Sequence, residues 1–415
     1  MDVEMSNRAV SRRFCRVAVI CLVVVGGRAP SGFAADTSRA RTAPSDLSGH
    51  ASIRDEADAD DEVPPVQWEP DQGASGRLPQ HGGDEPVVVQ LSPEQVNLRG
   101  RVRACLAHYF RQHEDVADRS PWGIMHALVA YGADTEVYAN GRRVNAIGWL
   151  CWNGPCGDQR LFSAEDGRLT PLQGPGMQGH DGQFLFMMAQ ARVPVTFPMK
   201  VDGYDFTIAD LVEYEKRTCF SGQELTFKLV GLVHYLDSNA RWRNRRGEEW
   251  DIPRMIKEEL AQPVIGATCG GTHRMMGFTY AVRKREKRGE PIDGQWRRAK
   301  KYVEDYHEYA FRLQNNDGSF STSFFRAPDD SGDIDRRLET TGHTLEWLVF
   351  SLPGSQLQDR RVVKAVDYLT NLLMSNRQRK WEVGPKGHAL HALAIYDERV
   401  FGSKLGNRPF LKAGD

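Results

Sequence analysis

The chain has 415 residues, with 54 Lys plus Arg against 55 Asp plus Glu, 40% hydrophobic residues and 26% charged. That length allows one large core or two ordinary ones. A formal net charge of -1 gives no electrostatic ground for a nucleic-acid partner, because phosphate binding needs a basic excess on some face, so the basic run at 241–246 is expected to be solvated loop.

In chain order, Arg12, Arg13 and Arg16 precede the apolar run 17–25, and a small-residue exit follows at Gly32-Phe33-Ala34. This is the three-part layout of a secretory signal peptide; 1–34 is the expected signal, cleaved after Ala34, with the rest expected in the periplasm or the extracellular space and an uncleaved anchor as the alternative. The run falls short of the roughly 20 apolar residues a membrane span needs. No later stretch is long and apolar enough, so the mature chain is expected to carry no span. Residues 35–90 are rich in Ser, Pro, Gly and Asp, with an acidic cluster at 55–62. Such a segment buries too little apolar surface to offset its chain entropy and is expected to be a disordered tether. The seven cysteines become five when Cys15 and Cys21 leave with the signal. Cys151 and Cys156 sit in the turn-rich Cys-Trp-Asn-Gly-Pro-Cys, where an oxidising compartment permits a local disulfide. Cys105 lies in a helical pattern and reads as core.

From residue 91 the pattern turns helical. Ser92-Pro93-Glu94-Gln95 is a helix start, with Ser at the cap, Pro at the first helical position and Gln three residues on. A second kind of helix then recurs. Trp122-Gly123, Gly179-His180, Gly222-Gln223, Gly271-Thr272-His273, Gly342-His343 and Gly387-His388 each open an apolar run, and helices apolar nearly all round are buried. Six such starts, about fifty residues apart, have the period of a helix-pair repeat. Between them lie amphipathic segments at 208–217, 255–260, 296–313 and 362–373. Between 133 and 178 no good helix is found, but Asn140-Gly141 and Asp166-Gly167 are hairpin turns. The expected fold is therefore all-α, an (α/α)6 toroid of about six helical hairpins over 91–415, with a small β-hairpin insertion near 133–178. Its inner helices run parallel and open their Gly/His starts at one mouth.

The segment Gln314-Asn315-Asn316-Asp317-Gly318-Ser319-Phe320 resembles the Gln-x-x-Asp-Gly-x-Trp element of squalene and terpene cyclases, whose α/α toroid is shared with protein prenyltransferase β subunits. In that family the Gln and the aromatic residue tie helix ends together, so the likeness implies fold more than activity; here Phe320 stands in place of Trp. The cyclase acid Asp-x-Asp-Asp is matched only by Asp58-Ala59-Asp60-Asp61, in the tether. Prenyltransferases hold zinc through Asp, Cys and His. Cys269 and His273, four apart, suit a metal on one helical face, but no third ligand is assignable, and a core Cys beside a helix-start His is the favoured reading. Thr341-Gly342-His343-Thr344-Leu345-Glu346-Trp347 is similar to the Pro-Gly-His-x-x-Glu-x-x-Trp neighbourhood of N-acylglucosamine 2-epimerase and related (α/α)6 barrels. There the His transfers protons.

A His in the first turn of a helix faces the positive end of the dipole, which favours the neutral ring. In the ring arrangement His180, His273, His343 and His388, with Glu346, are the expected catalytic residues for proton abstraction and return. Trp122, His126, Asp181, Glu224, Arg274 and Trp347 are the expected ligand contacts. No metal and no cofactor are expected. The partner is a carbohydrate or other small organic molecule; a cyclase or prenyltransferase-like activity and a non-catalytic protein- or glycan-binding toroid are the alternatives. Gly-His starts that serve only packing remain open for each single His. Asp317 reads as a turn residue, and Asp333, Asp335, Arg336 and Arg337 as a solvated loop.

Overall fold

The computed structural model describes residues 91–404 and 408–409, which lie within one compact unit, 61–415. The expected signal peptide at 1–34, the tether at 35–90 and Asp58-Ala59-Asp60-Asp61 lie outside the described residues. Those described are mostly helical, with twelve α-helices and four two-stranded antiparallel sheets. None of these helices is long and apolar enough to cross a membrane.

Helix α1 (Pro93–Phe110) begins on the expected reciprocal cap: the Gln95 amide donates to Ser92 Oγ, and the Ser92 amide to Gln95 Oε1. Six helices follow the apolar runs: α2 (Pro121–Tyr131), α4 (Gln183–Gln190), α6 (Thr226–Tyr235), α8 (Thr272–Lys287), α10 (Ile334–Ser351) and α12 (Val383–Phe401). They are buried at most positions, as in Thr340 to Val349 of α10. Each packs on the next in this series, and α12 packs back on α2. The intervening helices α3 (Ala146–Cys151), α5 (Ile208–Arg217), α7 (Ile252–Leu260), α9 (Gly294–Arg312) and α11 (Arg360–Ser375) complete the set. All but the short α3 bury one stripe, which in α11 is Val362, Ala365, Val366, Leu369 and Leu373. Each buried Val or Leu of such a stripe contributes roughly 1.5–3 kcal/mol.

Two glycines explain how closely α2, α10 and α12 approach. A Cβ on Gly387 would lie 2.4 Å from the His126 carbonyl oxygen, and one on Gly342 would lie 3.0 Å from Ala389 Cα. Both glycines sit inside helices, Gly342 in the third turn of α10 and Gly387 in the second turn of α12. The expectation that Gly342-His343 and Gly387-His388 open helices is thus corrected: here Gly lets backbones meet and does not mark a helix start.

The β structure is more extensive than expected. Hairpins β1–β2 (Glu136–Ala139, Arg142–Asn145) and β3–β4 (Phe162–Glu165, Arg168–Pro171) fall in the foreseen region; β5–β6 (Pro198–Val201, Tyr204–Thr207) and β7–β8 (Arg241–Arg243, Glu249–Asp251) do not. Asn140-Gly141, Asp166-Gly167 and Asp202-Gly203 all take positive φ at both positions, the two-residue turn whose twist matches paired strands. Part of the run 241–246 is strand, with Arg243 paired to Glu249 and Trp242 to Trp250. Three hairpins end on the cap of the next helix. Asn145 accepts the amides of Ile147 and Gly148, Thr207 forms a capping box with Asp210, and Asp251 accepts the Arg254 amide. Helix α3 stands where no helix was expected, because six residues are too few to display helical periodicity.

Cys151 and Cys156 are buried free thiols, not a disulfide. Cys105 is fully buried, as expected. Gln314 Nε2, at the end of α9, donates to the Arg361 carbonyl of α11 at 2.9 Å, so this Gln does tie two helix ends. The charged stretch expected as loop is the start of α10: Asp333 caps it, and Arg337 pairs with Asp317 at 2.7 Å.

Candidate histidine site

The five expected histidines come together. Ring centroids are 3.9 Å apart for His343 and His388, 5.1 Å for His273 and His388 and 5.3 Å for His273 and His343. His126 lies 5.8 Å from His388, and His180 lies 6.3 Å from His273. His126, His273, His343 and His388 are buried, whereas His180, in the turn before α4, is partly exposed. The group is therefore enclosed and does not form the open mouth that the ring arrangement suggested.

The helix dipole does not explain why His126 and His343 are depressed, since both lie beyond the first turn of their helices. Burial does: it pushes His126 down to about 3, helped by the neighbouring His388. His343 is pushed down to about 3 by burial and then by His388. His273 is held well below its ordinary range by burial, with His388 and His343 adding to it.

Hydrogen bonds select the tautomers. His126 Nδ1 donates to the Trp122 carbonyl and His343 Nδ1 to the Glu339 carbonyl, each at 2.7 Å. A carbonyl only accepts, so the proton is on Nδ1 and Nε2 keeps its lone pair. His180 Nδ1 meets Glu224 at 2.7 Å, and His388 Nδ1 meets Glu346 at 2.8 Å. His391 Nδ1 meets the other Glu346 oxygen at 2.5 Å. Burial alone would raise the Glu346 carboxyl. The charge on His388 and the hydrogen bonds from His388 and His391 outweigh it and hold the group well below the usual carboxylate range.

His273 differs from the others. Both of its nitrogens are buried without a hydrogen-bond partner, and so is His343 Nε2. Beside them stands Cys269, which occupies a tight turn, Thr268–Gly271, ahead of α8, with φ 50° and ψ 38°. The ligand atoms of Cys269, His273 and His343 all lie within 4.8 Å of one another. Cys269 and His273 thus do not share a helical face, and a third group is present after all, supplied by α10.

Of the expected ligand contacts, Trp122 packs against His126 with ring centroids 3.9 Å apart and planes tilted by 38°, and Glu224 holds His180. Asp181 faces Lys228 at 3.9 Å; that ammonium is paired more closely with Glu215, at 2.9 Å. Two residues stand apart from the histidines. Arg274 bonds Glu259 of α7 at 2.9 Å and Gln262 at 3.0 Å. Trp347 is fully buried, donates to Thr279 Oγ1 at 3.3 Å and packs on His307 at 5.0 Å. Each follows a cluster residue directly, and one helical step turns a side chain by about 100°.

His391 was not among the expected residues, although Gly-His-x-x-His places it one turn after His388. It lines a pocket formed mainly by the C-terminal halves of α2, α4, α8, α10 and α12, with Met187, Tyr280, Phe350 and Ile395 among its walls. The Arg192–Glu398 ion pair, 2.7 Å, lies on the same wall.

Fold and site together define a mostly helical protein with a buried histidine cluster. No family model matches the chain. Comparison with curated proteins gave no significant match, and comparison with solved structures gave none either.

Proposed function

We propose that this protein is an exported enzyme built as an (α/α)6 toroid, transferring protons to and from a carbohydrate or other small organic molecule. The succession of contacts from α2 through the even-numbered helices and back to α2 supports the toroid, and the signal layout at 1–34 supports export. One observation carries the activity: Glu346 bridges His388, inside the cluster, and His391, on the cavity wall. A substrate in the cavity meets His391 Nε2. Glu346 fixes that ring and compensates its charge when it takes a proton, as a carboxylate does for a general base. Apolar walls with a few charged groups suit a ligand having both apolar and polar faces.

The test starts from a thermal-shift panel of N-acetylated and neutral sugars and isoprenoid alcohols. A panel member that raises Tm is then incubated in deuterated water. Deuterium should enter the ligand, and His391→Gln should slow that entry at least about 100-fold while the ligand still binds. Exchange at an unchanged rate in His391→Gln, or no Tm shift across the panel, would remove this reading.

A further inference from the structure

We infer that Cys269, His273 and His343 bind a divalent transition metal of the zinc class, inside the buried histidine cluster and apart from the pocket that His391 lines, resting on the reading of that cluster as functional. Three independent features converge. The first is the unused donors: His273 Nδ1 and Nε2 and His343 Nε2 are buried, and none has a hydrogen-bond partner. Buried polar atoms are nearly always paired, so these nitrogens call for partners, and an ion would take one nitrogen of His273 together with His343 Nε2.

The second is proximity. The three donor atoms lie within 4.8 Å of one another, whereas tetrahedral zinc with one sulfur and two nitrogens sets its ligands about 3.4–3.6 Å apart. Closing the difference takes small side-chain rotations. His343 is already prepared for it. Its Nδ1 proton is held by the Glu339 carbonyl, the outer bond that characteristically fixes a metal-ligating imidazole with its other nitrogen bare.

The third is backbone strain. Cys269 takes φ 50°, a left-handed conformation uncommon for a side chain other than Gly, Asn or Asp, and Gly270 and Gly271 continue it with φ 64° and 81°. A Cβ on Gly270 would collide with the Phe324 ring. The chain thus holds an awkward turn whose result is a thiol beside two imidazoles, and such outliers concentrate where a ligand is held.

One sulfur and two imidazoles make a borderline-soft set that suits zinc and excludes calcium and magnesium, which take oxygen ligands. Binding displaces the Cys269 thiol proton to solvent, and the ion takes the thiolate. Three protein ligands leave a fourth tetrahedral position to be filled by water or another neighbouring donor.

The test uses the full-length processed chain, stripped with a chelator and titrated with Co²⁺. One equivalent should produce a near-ultraviolet thiolate-to-cobalt band together with visible bands of tetrahedral cobalt, and one equivalent of Zn²⁺ should abolish both. Cys269→Ser should lose the thiolate band, and His343→Gln should weaken binding at least 10-fold. Should either variant fail to fold, X-ray absorption at the zinc edge of the unmodified protein decides, with one sulfur near 2.3 Å and nitrogens near 2.0–2.1 Å expected. No cobalt band at stoichiometric metal, a band that survives Cys269→Ser, or a sulfur-free zinc shell would overturn the inference. These readouts need no substrate. A metal-free protein whose deuterium exchange depends on His391 would lose the metal alone, and a metal-binding protein without such exchange would lose the proposed reaction alone.

Discussion

At the scale of single residues, the buried polar groups outside the cluster make the sharpest predictions. His307 is buried, sits 2.6 Å from Ser351 Oγ and is pushed down to about 4, first by burial and then by Arg283. A base whose folded value is depressed stays neutral while the unfolded chain takes up a proton. Its contribution is therefore complete above about 6.5, falls as pH drops from there, and stops changing below about 4. At pH 5 that loss is about 2 kcal/mol. Urea unfolding of the wild type and His307→Gln at pH 7.5 and pH 5 checks it: the variant should lose less stability on acidification by roughly that amount. Equal losses would show that His307 is not the group responsible. Lys228 and Glu215 give a second prediction, since both side chains are almost wholly buried and 2.9 Å apart. Lys228→Met leaves an uncompensated carboxylate and should cost about 3–5 kcal/mol, whereas Lys228→Met with Glu215→Leu should recover most of it. A double-mutant cycle with no coupling would contradict the pairing. The gathering of His126, His180, His273, His343 and His388 was legible, because each stood in a Gly-led apolar run. Their environment was not. The depression of His126, His273 and His343 comes from enclosure, which no local pattern shows, and Arg274 and Trp347 were misplaced by one helical step.

At the scale of elements, glycine carries two meanings that sequence alone does not separate. In Asp202-Gly203 it supplies a left-handed turn, so Gly203→Ala should cost about 1–2 kcal/mol from backbone strain; open space around it means little else changes. Gly387 is an ordinary helical residue whose missing Cβ lets α12 lie against the His126 carbonyl. Gly387→Ala must push α12 away from α2, costing about 1–3 kcal/mol of overpacking. Because His126 and His388 sit on those two helices, that substitution should also disturb the histidine resonances in an NMR spectrum, which Gly203→Ala should leave in place. Histidine signals unmoved by Gly387→Ala would argue against close approach as the role of Gly387. The long helices were readable from apolar spacing, and 208–217 matches α5 residue for residue. The hairpins were readable only where an Asn-Gly or Asp-Gly was noticed. Asp202-Gly203 carried the same signal, whereas β7–β8, joined by a five-residue loop through Gly247, carried a weaker one.

At the scale of the whole molecule, one apolar cluster runs from Leu98 in α1 to Tyr396 in α12. The first and last described helices meet directly. Arg103 of α1 bonds Asp397 of α12 at 2.8 Å, and Trp381 donates to the Tyr109 hydroxyl at 3.2 Å. Contacts spanning almost three hundred residues leave no trace in local periodicity, which is why the sequence suggested a repeat without showing how its ends join. A core shared in this way should open as one unit, although an array of helix pairs could in principle fray from an end. Four thiols placed along the chain test the choice. Cys105, Cys151, Cys156 and Cys219 are all buried and free. Alkylation across a urea series, read thiol by thiol by mass spectrometry, should give a single midpoint for all four. Asp397→Ala removes the bond between the first and last helices and should shift all four midpoints together, by about 1–3 kcal/mol for the lost buried acceptor. If Cys105, in α1, became reactive at lower urea than Cys219, the first helix would be opening alone, and the joined ends would not govern stability. Failure of Cys151 and Cys156 to react even when unfolded would reveal a disulfide and overturn their assignment as free thiols.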